Sequence, residues 1–139
     1  MNKYAIFWPA VAMALLTFAV WLRMYFIRIG EMRRLHIHPQ SVATSAKASE
    51  RLVDTRAADN FRNLFELPVL FYVALGIAFA IGAVDPPLLA LAWFFVALRV
   101  AHSAIHCSYN RVMHRFAAYV AGGFVLWAIW GVLAWRLLR

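Results

Sequence analysis

"RVAHSAIHCSYNRVMHR", residues 99–115, follows directly on the apolar run "PPLLALAWFFVAL" at 86–98. The upstream run reads as helix dissolved in lipid. The residues after it place Arg99, His102 and His106 at i, i+3 and i+7, on one helical face. An arginine at the bilayer centre costs about 2.5–3.5 kcal/mol even on a lenient insertion scale. A membrane helix with such a face must turn it towards partners, in a bundle or around a ligand.

The rest of the chain supplies a bundle. Its 139 residues are 65% hydrophobic and only 14% charged, where a soluble domain carries roughly a quarter charged residues. The length suits one domain, taken as 1–139. The first apolar block, "YAIFWPAVAMALLTFAVWLRMYFI" (4–27), is long enough to cross a hydrocarbon core of about 30 Å. Lys3 alone makes a thin basic flank and no small-residue cleavage site follows, so a retained helix is expected rather than a signal peptide. Pro9 falls in its first turns, where a missing N–H costs little.

The polar, basic stretch 28–51 reads as a loop, with Pro39 and the Ser/Thr/Ala run after it as turn signals. A second helix is expected from about Ser49 or Asp54, either an acceptable N-cap, with Pro68 as a kink. "DPP" at 85–87 is a tight turn. A third helix is expected over about Leu88 to Tyr109 and a fourth over about His114 to Leu138. The fold class is therefore all-α, a four-helix transmembrane bundle.

Orientation follows from the loops. Arg28, Arg33, Arg34, Lys47 and Arg51 lie between the first two helices and Arg111 and Arg115 between the last two, with no base in the 85–87 turn. The positive-inside rule puts the two basic loops in the cytoplasm and both termini on the non-cytoplasmic side. Arg136 and Arg139 run against this and are expected to snorkel. The net charge of +8 is spread between apolar blocks, not gathered in an arm, so the expected partner is membrane lipid and not nucleic acid. Cys107 is the single cysteine; no intrachain disulfide is possible, and its expected role is that of a small buried apolar residue.

Three helices each carry one polar stripe: Asp59, Asn63 and Glu66; then Arg99, His102 and His106; then Arg111, Arg115 and Tyr119. Counting about 1.5 Å per residue from the external ends puts Glu66, His106 and Arg115 at about 27–28 Å, with Arg99 deepest at about 17 Å. The stripes are expected to meet in one layer near the cytoplasmic boundary. Internal ion pairs, such as Glu66 with Arg99 or Arg115, would be the purely architectural explanation. Glu66 is the only acid in the membrane blocks, however, against Arg99, Arg115, His102 and His106. The surplus is positive, so an anionic guest would complete it. Acidic or thiolate ligands at metal spacing are lacking around the histidines, "HIH" at 36–38 included, so no metal is expected.

"NLFELPVLFY" (63–72) and "RVAHSAIHCSYNRVMHRFAAY" (99–119) resemble segments of the MAPEG family, the membrane-associated proteins in eicosanoid and glutathione metabolism, and the second is most similar to its prostaglandin E synthase branch. The resemblance implies a homotrimer that binds glutathione between subunits near the cytosol. Matched by position, it implies glutathione contacts from Arg62, Asn63, Glu66, Arg99, His102, His106 and Tyr119, with Arg33 or Arg34 reaching in from a neighbouring subunit. Arg115 matches the arginine held to stabilise the thiolate, and is the expected catalytic residue. The chain departs from the synthase pattern at His106, where tyrosine is usual, at Phe116, where serine is usual, and at Asp59, where a base is usual. The expected function is a glutathione transferase or peroxidase acting on lipophilic electrophiles or lipid hydroperoxides. A non-catalytic lipid- or glutathione-binding scaffold is the alternative. A transporter would need a second polar layer near the external side, and "GIAFAIGAV" (76–84) offers none.

Overall fold

The computed structural model describes residues 2–138. A 3₁₀ turn at Lys3–Ile6 leads into α1 (Phe7–Arg34), and α2 (Ser45–Arg51), α3 (Arg56–Asn63), α4 (Leu67–Ala80), α5 (Pro86–Cys107) and α6 (Val112–Leu137) follow. Four helical stretches among the described residues are long and apolar enough to cross a membrane: Lys3–Arg34, Arg56–Ala80, Pro86–Cys107 and Val112–Leu137. The protein is an all-helical, multi-pass membrane bundle.

Two boundaries differ from the sequence reading. The first helix does not stop at residue 27 but continues to Arg34, and the expected loop also holds α2. Arg28, Arg33 and Arg34 are poor lipid residues but good helix formers, so hydropathy falls before helicity does. His36, at φ 52°, ends the run in the left-handed region. The expected second helix is broken rather than kinked: Ser49 lies in α2, and α3 and α4 are separated at Leu64–Glu66. Pro68 is not the cause of a bend within a helix, because it sits in the first turn of α4, where no N–H is needed.

The turn between α4 and α5 is set by two local devices. Gly82, at φ 68°, follows the end of α4, and Ala83 N–H returns to Ala78 O across 2.8 Å. Asp85 then caps α5 by accepting from Leu88 N–H at 3.0 Å, with Pro86 and Pro87 in the first turn. Arg136 near the end of α6 donates to Ala83 O and to the Asp85 carboxylate. Pairing, not snorkelling, accommodates Arg136, while Arg139 lies outside the described residues.

The core runs along the bundle axis. Phe71 of α4 stacks on Phe95 of α5 with ring centroids 4.4 Å apart, beside buried Met13, Leu75, Leu126, Ile129 and Leu133. Trp8, Phe26, Phe124 and Trp127 are exposed on the outside, as lipid contact requires. α6 packs most extensively on α5. A Cβ added at Gly122 would lie 3.9 Å from Arg99 Cδ, so the helix backbone itself covers the stem of that arginine.

The opposite end is fastened by polar contacts. Glu31, buried near the end of α1, accepts from Val53 N–H at 3.2 Å and Asp54 N–H at 3.3 Å. Arg23 donates to Cys107 O at 2.7 Å and Arg56 to Ser108 O, satisfying carbonyls freed at the end of α5. Asn60, fully buried, accepts from Ser103 Oγ at 3.3 Å and donates to Cys107 Sγ at 3.4 Å. These contacts fix α1, α3 and α5 to one another below the polar layer.

Candidate functional site

The polar stripes meet. Asn63, Glu66, His102, Val112, Arg115, Phe116 and Tyr119 line one cavity of ≈ 220 Å³ between the α3–α4 break, α5 and the start of α6. The break is what opens it. Asn63 is the last residue of α3, so its carbonyl lacks a helical donor and accepts instead from Arg99 Nη2 at 2.8 Å. Glu66 stands at the start of α4 and accepts from Tyr119 Oη at 3.2 Å.

Behind the cavity wall lies a charge with too few partners. Arg99 is fully buried, its guanidinium 5.5 Å from the Tyr119 ring centre, and among the described residues its Nε and Nη1 have no hydrogen-bond partner. Unpaired buried donors of a charged group are costly. The ion pairs among the described residues are Arg34–Glu31, Arg56–Asp54, Arg62–Asp59 and Arg136–Asp85. Neither Glu66–Arg99 nor Glu66–Arg115 is among them. Internal ion pairing among the described residues therefore does not account for the layer's positive surplus.

Arg115 is held from three directions. A backbone carbonyl can only accept, so His102 carries its proton on Nδ1 and donates to Arg115 O across 3.1 Å. A guanidinium can only donate, so Arg115 Nη1 gives one hydrogen to His106 Nε2 at 3.0 Å. The same nitrogen donates to Asn110 Oδ1 at 2.8 Å. Asn110 sits at φ 49°, a left-handed position that asparagine tolerates, in the short turn between α5 and α6. Nη1 is thereby saturated, and among the described residues neither Nε nor Nη2 of Arg115 has a partner.

The remaining expected residues lie elsewhere. His106 and Arg99 are buried at 3% and 0% exposure behind the cavity lining. Arg62 is exposed, 3.8 Å from Asp59, and both line a small crevice against α1 with Arg28, Asp54 and Thr55. Asp59 also accepts from Thr55 Oγ1 at 3.0 Å; of its stripe, Asn63 and Glu66 line the cavity and Asp59 does not. Arg33 and Arg34 are exposed at the end of α1, Arg33 in a separate groove with Ile29, His36 and His38 and Arg34 beside Glu31. Arg111 is exposed next to the turn. Asn60 and Asn110 carry structural hydrogen bonds that helical spacing alone did not single out; the usable signal at Asn110 was an asparagine between two helical patterns.

Comparison with known proteins adds one finding. No curated protein and no solved structure gives a match. The model of the MAPEG family matches residues 6–135, nearly the whole chain and both polar helix pairs. The chain belongs to the MAPEG family.

Proposed function

We propose that the protein is an integral membrane glutathione transferase or peroxidase, acting on lipophilic electrophiles or lipid hydroperoxides. The supporting observation is the Arg115 guanidinium, with one nitrogen saturated and the Nε–Nη2 edge free at a polar cavity. That edge is the fork suited to an anion. Family membership supports glutathione metabolism as the setting.

The donor set fits glutathione. Its two carboxylates and its sulfur call for cations: Arg115 lines the cavity, and in this reading Arg99 behind its wall and Arg62 in the crevice against α1 are the further cations; its ammonium calls for an acid, which Glu66 supplies. Asn63, His102 and Tyr119 offer polar contacts to the peptide, His106 supports Arg115, and Arg99 is reached through the Tyr119 side of the wall. The cavity of ≈ 220 Å³ is below the roughly 300–1,000 Å³ of sites that enclose a ligand of this size. A neighbouring copy completes it in this reading, in a homotrimer whose exposed Arg33 or Arg34 closes the open side.

Bound glutathione supplies a sulfur nucleophile. A thiol of pKa about 8.5 is only a few per cent thiolate at neutral pH, and lowering that by about two units needs about 2.7 kcal/mol. A charge-assisted contact with Arg115 in a partly desolvated site is of that size. In conjugation a sulfur–carbon bond forms as the leaving group departs with its electron pair. In peroxide reduction two glutathiones are oxidised to the disulfide as the hydroperoxide becomes alcohol and water. The apolar substrate enters from the bilayer, past Val112 and Phe116. The site faces the cytoplasm of a cell inner membrane, if the source is bacterial, with both termini on the other side.

The test is calorimetric glutathione binding by the detergent-solubilised protein, beside turnover of an aryl halide and an alkyl hydroperoxide. Binding with turnover is expected. Binding without turnover would move the reading to the non-catalytic scaffold, and loss of both would remove glutathione from it.

A further inference from the structure

Resting on that reading, we propose that His106 is a positioning residue: a neutral imidazole whose Nε2 lone pair holds the Arg115 guanidinium with its Nε–Nη2 edge free for the sulfur anion. The family resemblance gave His106 a direct ligand contact. The geometry points to a role one layer back. Its ring is 3% exposed, does not line the cavity, and meets Arg115 Nη1 across 3.0 Å.

The donor count makes this specific. Arg115 has five N–H hydrogens. His106 Nε2 and Asn110 Oδ1 take the two on Nη1, which leaves Nε–H and both hydrogens of Nη2. A guanidinium pinned at one nitrogen can rotate little, so its free edge is aimed before the guest arrives. Such pre-orientation lowers the cost of assembling the anion contact. Without the pin, Arg115 would keep many rotamers next to open lipid headgroups, at the expense of that contact.

His106 works here only in one form. Nε2 must accept, so the proton is on Nδ1, which is buried and has no partner among the described residues. His102 adopts the same tautomer for the opposite purpose, donating Nδ1–H to Arg115 O. The two imidazoles, one turn apart with ring centres 5.6 Å apart and nearly perpendicular, thus hold the main chain and the side chain of one arginine. The charged groups facing His106 are Arg115 from α6, Asp59 from α3 and Arg99 from its own helix. A third cation beside the two arginines would have no role in this arrangement, whereas a lone pair does.

The experiment has two arms. In the glutathione-free protein, nitrogen-15 spectra of the histidine rings near neutral pH should show His106 protonated at Nδ1, with a hydrogen-bonded, unprotonated Nε2. An imidazolium, or a proton on Nε2, overturns the pairing. In the second arm, His106→Phe should bind glutathione within about threefold of the parent while its kcat falls about tenfold, the worth of one charge-assisted hydrogen bond. The ultraviolet thiolate signal of bound glutathione should fall with it. His106→Gln, which keeps an acceptor near the Nε2 position, should restore both to within about threefold. A thiolate signal equal in all three proteins overturns the positioning role. A parent protein that binds no glutathione overturns the proposed function instead, and the ring spectra still decide the His106–Arg115 pairing.

Discussion

Tyr119 Oη donates to Glu66 Oε2 across 3.2 Å, joining α6 to the start of α4 in the lining of the cavity. The same ring covers Arg99, whose guanidinium carbon lies 5.5 Å from its centre. Tyr119 thus does two separable things. Tyr119→Phe keeps the ring over Arg99 and removes the donor to Glu66, so the predicted loss is about 0.5–1.5 kcal/mol of stability. Thermal unfolding in detergent checks this, and glutathione affinity should change because Glu66 is freed from the tyrosine. Tyr119→Leu, which also uncovers Arg99, should be the more damaging of the two.

Arg115 separates binding from activation. Its Nε–Nη2 edge offers the sulfur a fork, while the peptide part of glutathione has Asn63, Glu66 and Arg99 to contact. Arg115→Ala should therefore leave glutathione bound and abolish the thiolate absorbance. Arg115→Lys should keep the charge but neither the fork nor the contacts with His106 and Asn110 together. Turnover should drop at least about tenfold in the lysine variant, with a smaller change in affinity. Full thiolate absorbance in the alanine variant would take Arg115 out of the mechanism.

Arg99 makes a less intuitive prediction. It is fully buried, and among the described residues two of its nitrogens have no partner and only Asn63 O receives a hydrogen bond from it. Such a residue weakens the ligand-free protein and gains its partners with the guest. Arg99→Met should melt at the same temperature as the parent or higher without glutathione. The upward shift that saturating glutathione gives the parent, about 2.7 kcal/mol at a hundredfold excess over Kd, should be lost. A variant that unfolds in the absence of any ligand would mean that Arg99 is architectural.

Much of this was legible in the sequence because membrane helices leave few alternatives. An apolar block of bilayer length must be helical, and each polar stripe must face inward. That is why Glu66, His102, Arg115 and Tyr119 could be expected in one layer from spacing alone. Spacing could not show the break at Leu64–Glu66, since Asp59, Asn63 and Glu66 keep helical periodicity across it. Nor could it separate lining residues from those behind them. His102 and His106 share a face and both contact Arg115, yet His102 lines the cavity and His106 stands behind it. Helix ends were the weakest reading: α1 runs seven residues beyond the apolar block, to Arg34, because charge stops insertion into lipid but not helix formation.

Outside the spans, Asp54 carries a pH dependence of known sign. Its carboxylate accepts from Arg56 Nε at 2.9 Å and from Arg56 Nη2 at 2.7 Å, and Arg56 in turn donates to Ser108 O at the end of α5. Hydrogen bonding from the Arg56 side chain holds the Asp54 carboxyl below its ordinary value. A depressed folded-state value means stability that is present above the unfolded value, about 3.9, and lost as pH falls through the folded one. Asp54→Asn should therefore melt below the parent by a constant margin between about pH 5 and pH 7. The margin should begin to shrink as the pH drops below about 4 and vanish below the depressed folded value, where the parent carboxylate is itself protonated. A margin that stays the same at low pH would mean that the aspartate acts through shape and not through charge.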